Sequence, residues 1–233
     1  NRVTPISLKM APLPVAATFP KSAVQTRWEI QVAEKNGMPF IPKDKQKITT
    51  KYQFWRSKES EKDNCIQVWR DRVSFNLVSA IGAPRSYEEL RNFYIEWGAK
   101  WAAHFGVSSV QGATVEYVNV LSAQTMPSMC KSDKIPISDI LTAFLVQGPL
   151  KNLMPPFQFQ FNFNANCDEY PMRVQVKLED PQPGNVSLRL LFRASTEMEK
   201  REVTLDTVIK ELDAMHTVIL GEFDAFFTDK AKI

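Results

Sequence analysis

Three stretches in the second half of the chain alternate strictly between apolar and polar residues. Phe157, Phe159, Phe161 and Phe163 alternate with Gln158, Gln160, Asn162 and Asn164. Met172, Val174, Val176 and Leu178 alternate with Arg173, Gln175, Lys177 and Glu179, and Val186, Leu188, Leu190 and Phe192 with Ser187, Arg189 and Arg193. A side-chain period of two means a strand with one buried face and one wet face. The turn-forming residues Pro181 to Asn185 make the last two stretches a hairpin. Such a sheet needs a cover for its apolar face. The cover follows directly in the chain. Leu205, Val208, Ile209, Leu212, Ile219, Leu220, Phe223, Phe226 and Phe227 recur at helical spacing behind Thr204, a favoured N-cap residue. An antiparallel sheet under a long helix places the chain in the α+β class.

The first half follows the same plan. Val24, Thr26, Trp28, Ile30 and Val32 alternate with Gln25, Arg27, Glu29 and Gln31, and Asn36-Gly37 and Pro39 end that strand. The polar, lysine-rich stretch Phe40 to Thr50 is a short helix or an excursion. Strands are predicted over Lys51 to Ser57, Asn64 to Trp69 and Arg72 to Val78, with Lys58 to Asp63 as a solvated loop. Apolar residues run through Ile66 and Val68 and resume at Val73, Phe75 and Leu77. One unbroken strand would place those two sets on opposite faces, so a turn falls at Arg70-Asp71. Ser86 and Glu89 form a capping box ahead of Leu90, Phe93, Tyr94, Trp97, Trp101 and Phe105, and Gly106 stops that helix. In the second half Val115, Tyr117, Val118 and Val120 read as a strand. Pro136 opens a short helix through Ile137, Ile140, Leu141 and Phe144, closed by Gly148-Pro149.

Each half thus reads strand, short helix or excursion, three strands, long helix. The expectation is an N-terminal arm (1–22) followed by a single α+β domain (23–233) with pseudo-repeats 23–108 and 109–233. The duplicated antiparallel strands would form one continuous curved sheet with both long helices on one face. This order resembles the TATA-binding-like and helix-grip arrangements, an analogy of fold that carries little about function.

Composition sets the outer bounds. The 233 residues are 44% hydrophobic and 24% charged, the balance of a globular chain. A net charge of +3 does not demand nucleic acid or a membrane surface as partner. Cys65, Cys130 and Cys167 are far apart, an odd and sparse set that reads as reduced thiols in a cytoplasm. No apolar run approaches the roughly 20 residues of a membrane-spanning helix. Asn1 to Pro20 lacks the apolar core of a signal peptide.

The run Cys65-Ile66-Gln67-Val68-Trp69-Arg70-Asp71-Arg72-Val73-Ser74-Phe75-Asn76 carries a resemblance. So do Tyr87-Glu88-Glu89-Leu90, Val115-Glu116-Tyr117-Val118-Asn119, Leu212-Asp213-Ala214-Met215-His216 and Phe226-Phe227-Thr228-Asp229-Lys230-Ala231. Together they resemble a sporadically distributed family of bacterial proteins of about this length, over roughly Ala23 to the C-terminus. The entry from Met10 to Ser22 departs from that pattern. The resemblance implies a soluble bacterial protein, and it carries over no catalytic residue.

Candidate chemistry is thin. Asp213 and His216 stand three apart on one helix and can touch. However, His216 falls between Leu212 and Ile219-Leu220 on the core stripe, and no nucleophile in a recognisable context accompanies it. Two histidines and scattered cysteines do not make a zinc site, no phosphate-binding glycine loop is present, and no cofactor is expected. The adjacent pairs Glu88-Glu89 and Asp168-Glu169 do not face one another. An enzyme is therefore the third choice.

The polar sheet face is the leading surface. It gathers Arg27, Gln160, Arg173, Gln175, Lys177, Arg189 and Arg193, with Glu179 and Glu29 as its acids. Arg and amide groups suit phosphates and base edges, but aromatics for stacking are missing. A protein partner, either a neighbouring-gene product or a second copy of the chain, is favoured over nucleic acid. The expected function is a non-enzymatic interaction or regulatory component, and the resemblance extends this to a bacterial defence or toxin-antitoxin locus. The alternative is a small-molecule sensor with an apolar pocket between sheet and helices, lined by Trp97, Trp101, Phe161, Phe192, His216 and Phe223.

Overall fold

The computed structural model describes residue 19 and residues 21–30, 33–35, 38–40, 46–56, 63–69, 72–78, 85–107, 109–131, 135–142, 159–167, 170–179, 185–197 and 204–229. Before Asn64, only Phe19 is described beyond its backbone. The protein is α+β, and its chain divides into two compact units, Asn1–Phe105 and Gly106–Ile233. The described residues form two four-stranded antiparallel sheets and one short hairpin, in place of the single continuous sheet expected.

In the first unit, β1 (Lys21–Ile30), β4 (Gln46–Arg56), β5 (Asp63–Val68) and β6 (Val73–Val78) lie in the order β1-β4-β5-β6. Between the first two, β2 (Ala33–Lys35) and β3 (Met38–Phe40) make a separate two-stranded ribbon. The expected strand end at Asn36-Gly37 is followed by a return strand, in keeping with Asn-Gly as favoured turn chemistry for a tight hairpin. The β5–β6 turn is confirmed by the register and by the bond from Trp69 N–H to Arg72 C=O (2.8 Å). Helix α1 (Tyr87–Phe105) begins with the predicted capping box. Ser86 Oγ accepts from Glu89 N–H (3.1 Å), and Glu89 Oε2 accepts from Ser86 N–H (2.9 Å). Gly106, at φ 62°, ends the helix in the left-handed region that a side chain would disfavour.

Phe93, Trp97 and Trp101 face inward along α1 and join Ile66, Val68 and Phe19 in the first core. Phe19 falls within the expected arm, yet it is only 2% exposed and sets its ring edge-on to Trp97, with centroids 5.1 Å apart. The chain is therefore anchored ahead of β1.

In the second unit, β7 (Gly112–Leu121), β8 (Phe159–Cys167), β9 (Tyr170–Glu179) and β10 (Ser187–Glu197) are ordered β7-β10-β9-β8. The first strand thus pairs with the last, whereas in the first unit β1 pairs with the next long strand. The element order repeats between the halves, but the strand order does not. Helix α2 covers only Ile137–Ile140. The expected helix stops there because Leu141 turns extended (φ −104°, ψ 142°) and bridges Phe227. The continuation through Phe144 to Pro149 lies outside the described residues. Thr142 N–H donates to Phe226 C=O (3.0 Å), and Thr228 N–H donates to Ile140 C=O (2.9 Å).

Helix α3 (Leu205–Phe226) starts at Thr204, whose side chain accepts from Thr207 N–H, and covers β10, β7 and β9. Val115, Met172, Val174, Val176, Leu188, Leu190 and Phe192 from the sheet meet Met215 and Ile219 from the helix in the second core. Among the described residues no helix is long and apolar enough to cross a membrane.

Candidate functional site

The outer face of the second sheet can be written out from its register. Glu116, Arg193, Arg173 and Asn164 form one row across β7, β10, β9 and β8. Val118, Leu191, Gln175 and Asn162 form the next, and Val120, Arg189, Lys177 and Gln160 the third. Alternation thus brings together six of the seven residues predicted for this surface. Arg27 is not among them: it lies on β1 of the first unit, together with Glu29, and its side chain lies outside the described residues. Glu116 takes the place that Glu29 was expected to fill. It was legible as the polar partner of Val115 and Tyr117, but only the pairing of β7 with β10 places it opposite Arg193.

Two like-charged pairs stand directly opposite one another, Arg193 with Arg173 and Arg189 with Lys177. Such pairs repel unless neighbours compensate. Here they do. The Arg193 guanidinium donates to Glu116 Oε2 through Nε (2.6 Å) and also through Nη2. Arg173 Nη2 and Gln175 Nε2 both donate to Asn162 Oδ1, at 3.0 and 2.8 Å. Lys177 Nζ pairs with Glu179 at 3.0 Å. Among the described residues Arg189 has no hydrogen bond or ion pair, and it is exposed beside Val120. Val118 and Val120 are 42% and 45% exposed. The described part of this face carries Arg173, Lys177, Arg189 and Arg193 against Glu116 and Glu179. It is a knitted polar sheet with one open cation at the corner of an apolar group formed by Val118, Val120 and Leu191.

The residues predicted to line a pocket fall in two different units. Trp97 and Trp101 belong to the first core. Phe192 is fully buried in the second core, with Phe161 and Phe223 packed against it. The Phe192 ring lies 5.4 Å from Phe223 and 5.5 Å from Phe226. These rings fill their own cores.

On the inner face His216 Nδ1 lies 2.8 Å from Tyr117 Oη. With the imidazole proton on Nε2, the phenol donates. Burial pushes the Tyr117 phenol up to about 12, so it keeps its proton at neutral pH. Burial also lowers His216, and Asp213 opposes that shift by its charge. A neutral imidazole held by a neutral phenol is a satisfied polar pair, and the geometry supports a packing role ahead of a general base. Among the described residues no three His, Cys, Asp or Glu side chains are placed to hold a metal ion.

This pair has a consequence for stability. Above pH 6.5, the ordinary histidine value, His216 is neutral in both the folded and unfolded chain. Below it, the unfolded chain takes up the proton first, so stability should fall with pH until His216 protonates in the fold as well. His216→Gln should flatten that segment of a melting-temperature profile between pH 7 and 5 (a range set by the ordinary histidine value). An unchanged slope in the variant would remove His216 as its cause.

No protein family, curated protein or solved structure matches the chain.

Proposed function

We propose that the protein is a non-enzymatic interaction component that binds a protein partner on the outer face of its second sheet. The observation that carries this reading is the composition of the third row and its neighbours. Arg189, with no partner among the described residues, stands beside exposed Val120 and Val118. Arginine is enriched at protein interfaces, and exposed apolar surface beside it gives a partner something to bury. Nucleic acid would instead draw on several open cations and on exposed aromatics. On the described part of this face Arg173, Lys177 and Arg193 already hold partners, and no aromatic side chain is present. The resemblance noted in the sequence extends the proposal to a cytoplasmic regulatory component of a bacterial defence or toxin-antitoxin locus, with a neighbouring-gene product as partner.

The test compares the native chain with Arg189→Glu, first in co-purification with the products of neighbouring genes and then in titration with duplex and single-stranded oligonucleotides. The variant should lose the protein partner by at least about tenfold in affinity, the equivalent of about 1.4 kcal/mol. Neither chain should bind oligonucleotide at low salt. Oligonucleotide binding that weakens steeply with salt and vanishes in the variant would replace this reading with a nucleic-acid one.

A further inference from the structure

We infer that the second unit pairs with a second copy of itself through strand β7, so that two four-stranded sheets become one of eight. Among the described residues β7 has a neighbour on one side only, β10. It is ten residues long and keeps an unbroken register with β10 from Gly112 to Leu121. It therefore contains no bulge, and its sequence contains no lysine or proline. Those are among the devices that keep an edge strand from pairing with another chain. The strand's one charge, Glu116, is held by Arg193, and Thr125 Oγ1 donates to the Val120 C=O near its end.

The side chains around this edge are those of an interface. Val118 and Val120 are exposed on its outer face. On the inner side, Leu220 is 48% exposed and lies one helical turn from His216, which reaches Tyr117 of the same strand. Leu220 therefore sits on the flank of α3 beside β7. Three of the large exposed apolar side chains thus border one strand. The opposite edge, β8, turns Gln160, Asn162 and Asn164 outward instead.

The charges select a register. In an antiparallel pair centred on Val118, that residue meets its own copy, and Glu116 stands opposite Val120 of the second chain. The next residue in that row is Arg189 of the second chain, which has no ion pair among the described residues of its own chain. Two strand spacings, about 10 Å, separate it from Glu116, a span that an extended arginine and glutamate bridge. Both bonds from Arg193 go to Glu116 Oε2, so Oε1 can accept from Arg189. The two-fold axis makes this contact twice. Centring on Glu116 would set two carboxylates face to face, which this register avoids. Because residues of equal parity pair, inner faces stay on one side, and the two α3 helices flank the axis with Leu220 between them.

The pairing draws on Arg189, Val118 and Val120, the residues of the outer-face reading, and makes a second copy of the chain their occupant. Sedimentation velocity on the full chain tests it with no other partner present, and its failure leaves the co-purification test of the outer-face reading standing. The native chain should sediment at twice its 26.6 kDa in the micromolar range. Val118→Lys should weaken association at least about tenfold. Val107→Lys, at an exposed site outside the strand, should not weaken it. If Val118→Lys reduces folding, Val118→Cys supplies the second measurement. It should form a disulfide-linked dimer under mild oxidation, faster than Val107→Cys or the native chain. A native monomer throughout that range overturns the inference. So does a Val118→Cys chain that cross-links no faster than the Val107→Cys control.

Discussion

Replacing Phe192 with alanine should cost about 3–5 kcal/mol, the usual range for losing a fully buried aromatic ring. Phe192 has no exposed surface and sits at the centre of the second core. Its ring touches Phe223 and Phe226, and its strand neighbours across the sheet are Val174 and Tyr117. Alanine would leave a void bounded by rigid strands on one side and a long helix on the other, so little collapse can refill it. Phe192→Leu keeps most of the volume and should cost distinctly less. The measurement is chemical denaturation followed by far-ultraviolet circular dichroism. A loss under about 1 kcal/mol for Phe192→Ala would show that this ring is not a keystone of the second unit.

Trp97→Ala should be equally severe in the first unit, at about 3–5 kcal/mol. Trp97 is 2% exposed, receives Phe19 edge-on, and carries Lys100 Nζ 4.1 Å above its ring. The substitution therefore removes an aromatic contact, a cation–π contact and the anchor of the chain ahead of β1 together. All five tryptophans lie between Trp28 and Trp101, so intrinsic fluorescence reports on the first unit. Trp97→Phe should recover much of the stability, because an aromatic ring still meets Phe19. Equal losses in the alanine and phenylalanine variants would mean that ring packing is not what holds this site.

What could be read from the residues was whatever local physics decides. The alternation from Met172 to Glu179 is β9 almost to the residue, because one wet face and one dry face leave no other period. Ser86, Thr204 and Gly106 marked helix ends because capping is settled within one turn. Strand order was not legible in the same way. Nothing in Val115 to Val120 says that this strand lies beside β10 and not beside β8; that choice is made by distant contacts. The composition of the outer face was legible and its electrostatics were not, because the pairing of Glu116 with Arg193 depends on that same choice. Helical spacing puts Trp97 on a buried face and alternation does the same for Phe192, but neither pattern says that they belong to two different cores.

The contacts around Leu141 and Phe227 bear on the order in which the second unit assembles. Thr142 Oγ1 donates to Ala225 C=O, and Thr228 Oγ1 donates to Asp139 C=O, across 83 and 89 residues of chain. Bonds of that separation close a long loop, and their entropic cost is met only after nearer contacts have formed. The β8–β9 and β9–β10 hairpins can assemble first, since each joins neighbouring segments. By the same argument the clasp at the end of α3 should close late, together with the equally long-range pairing of β7 with β10. Its strength belongs to the lifetime of the folded state, and the speed of folding owes it little.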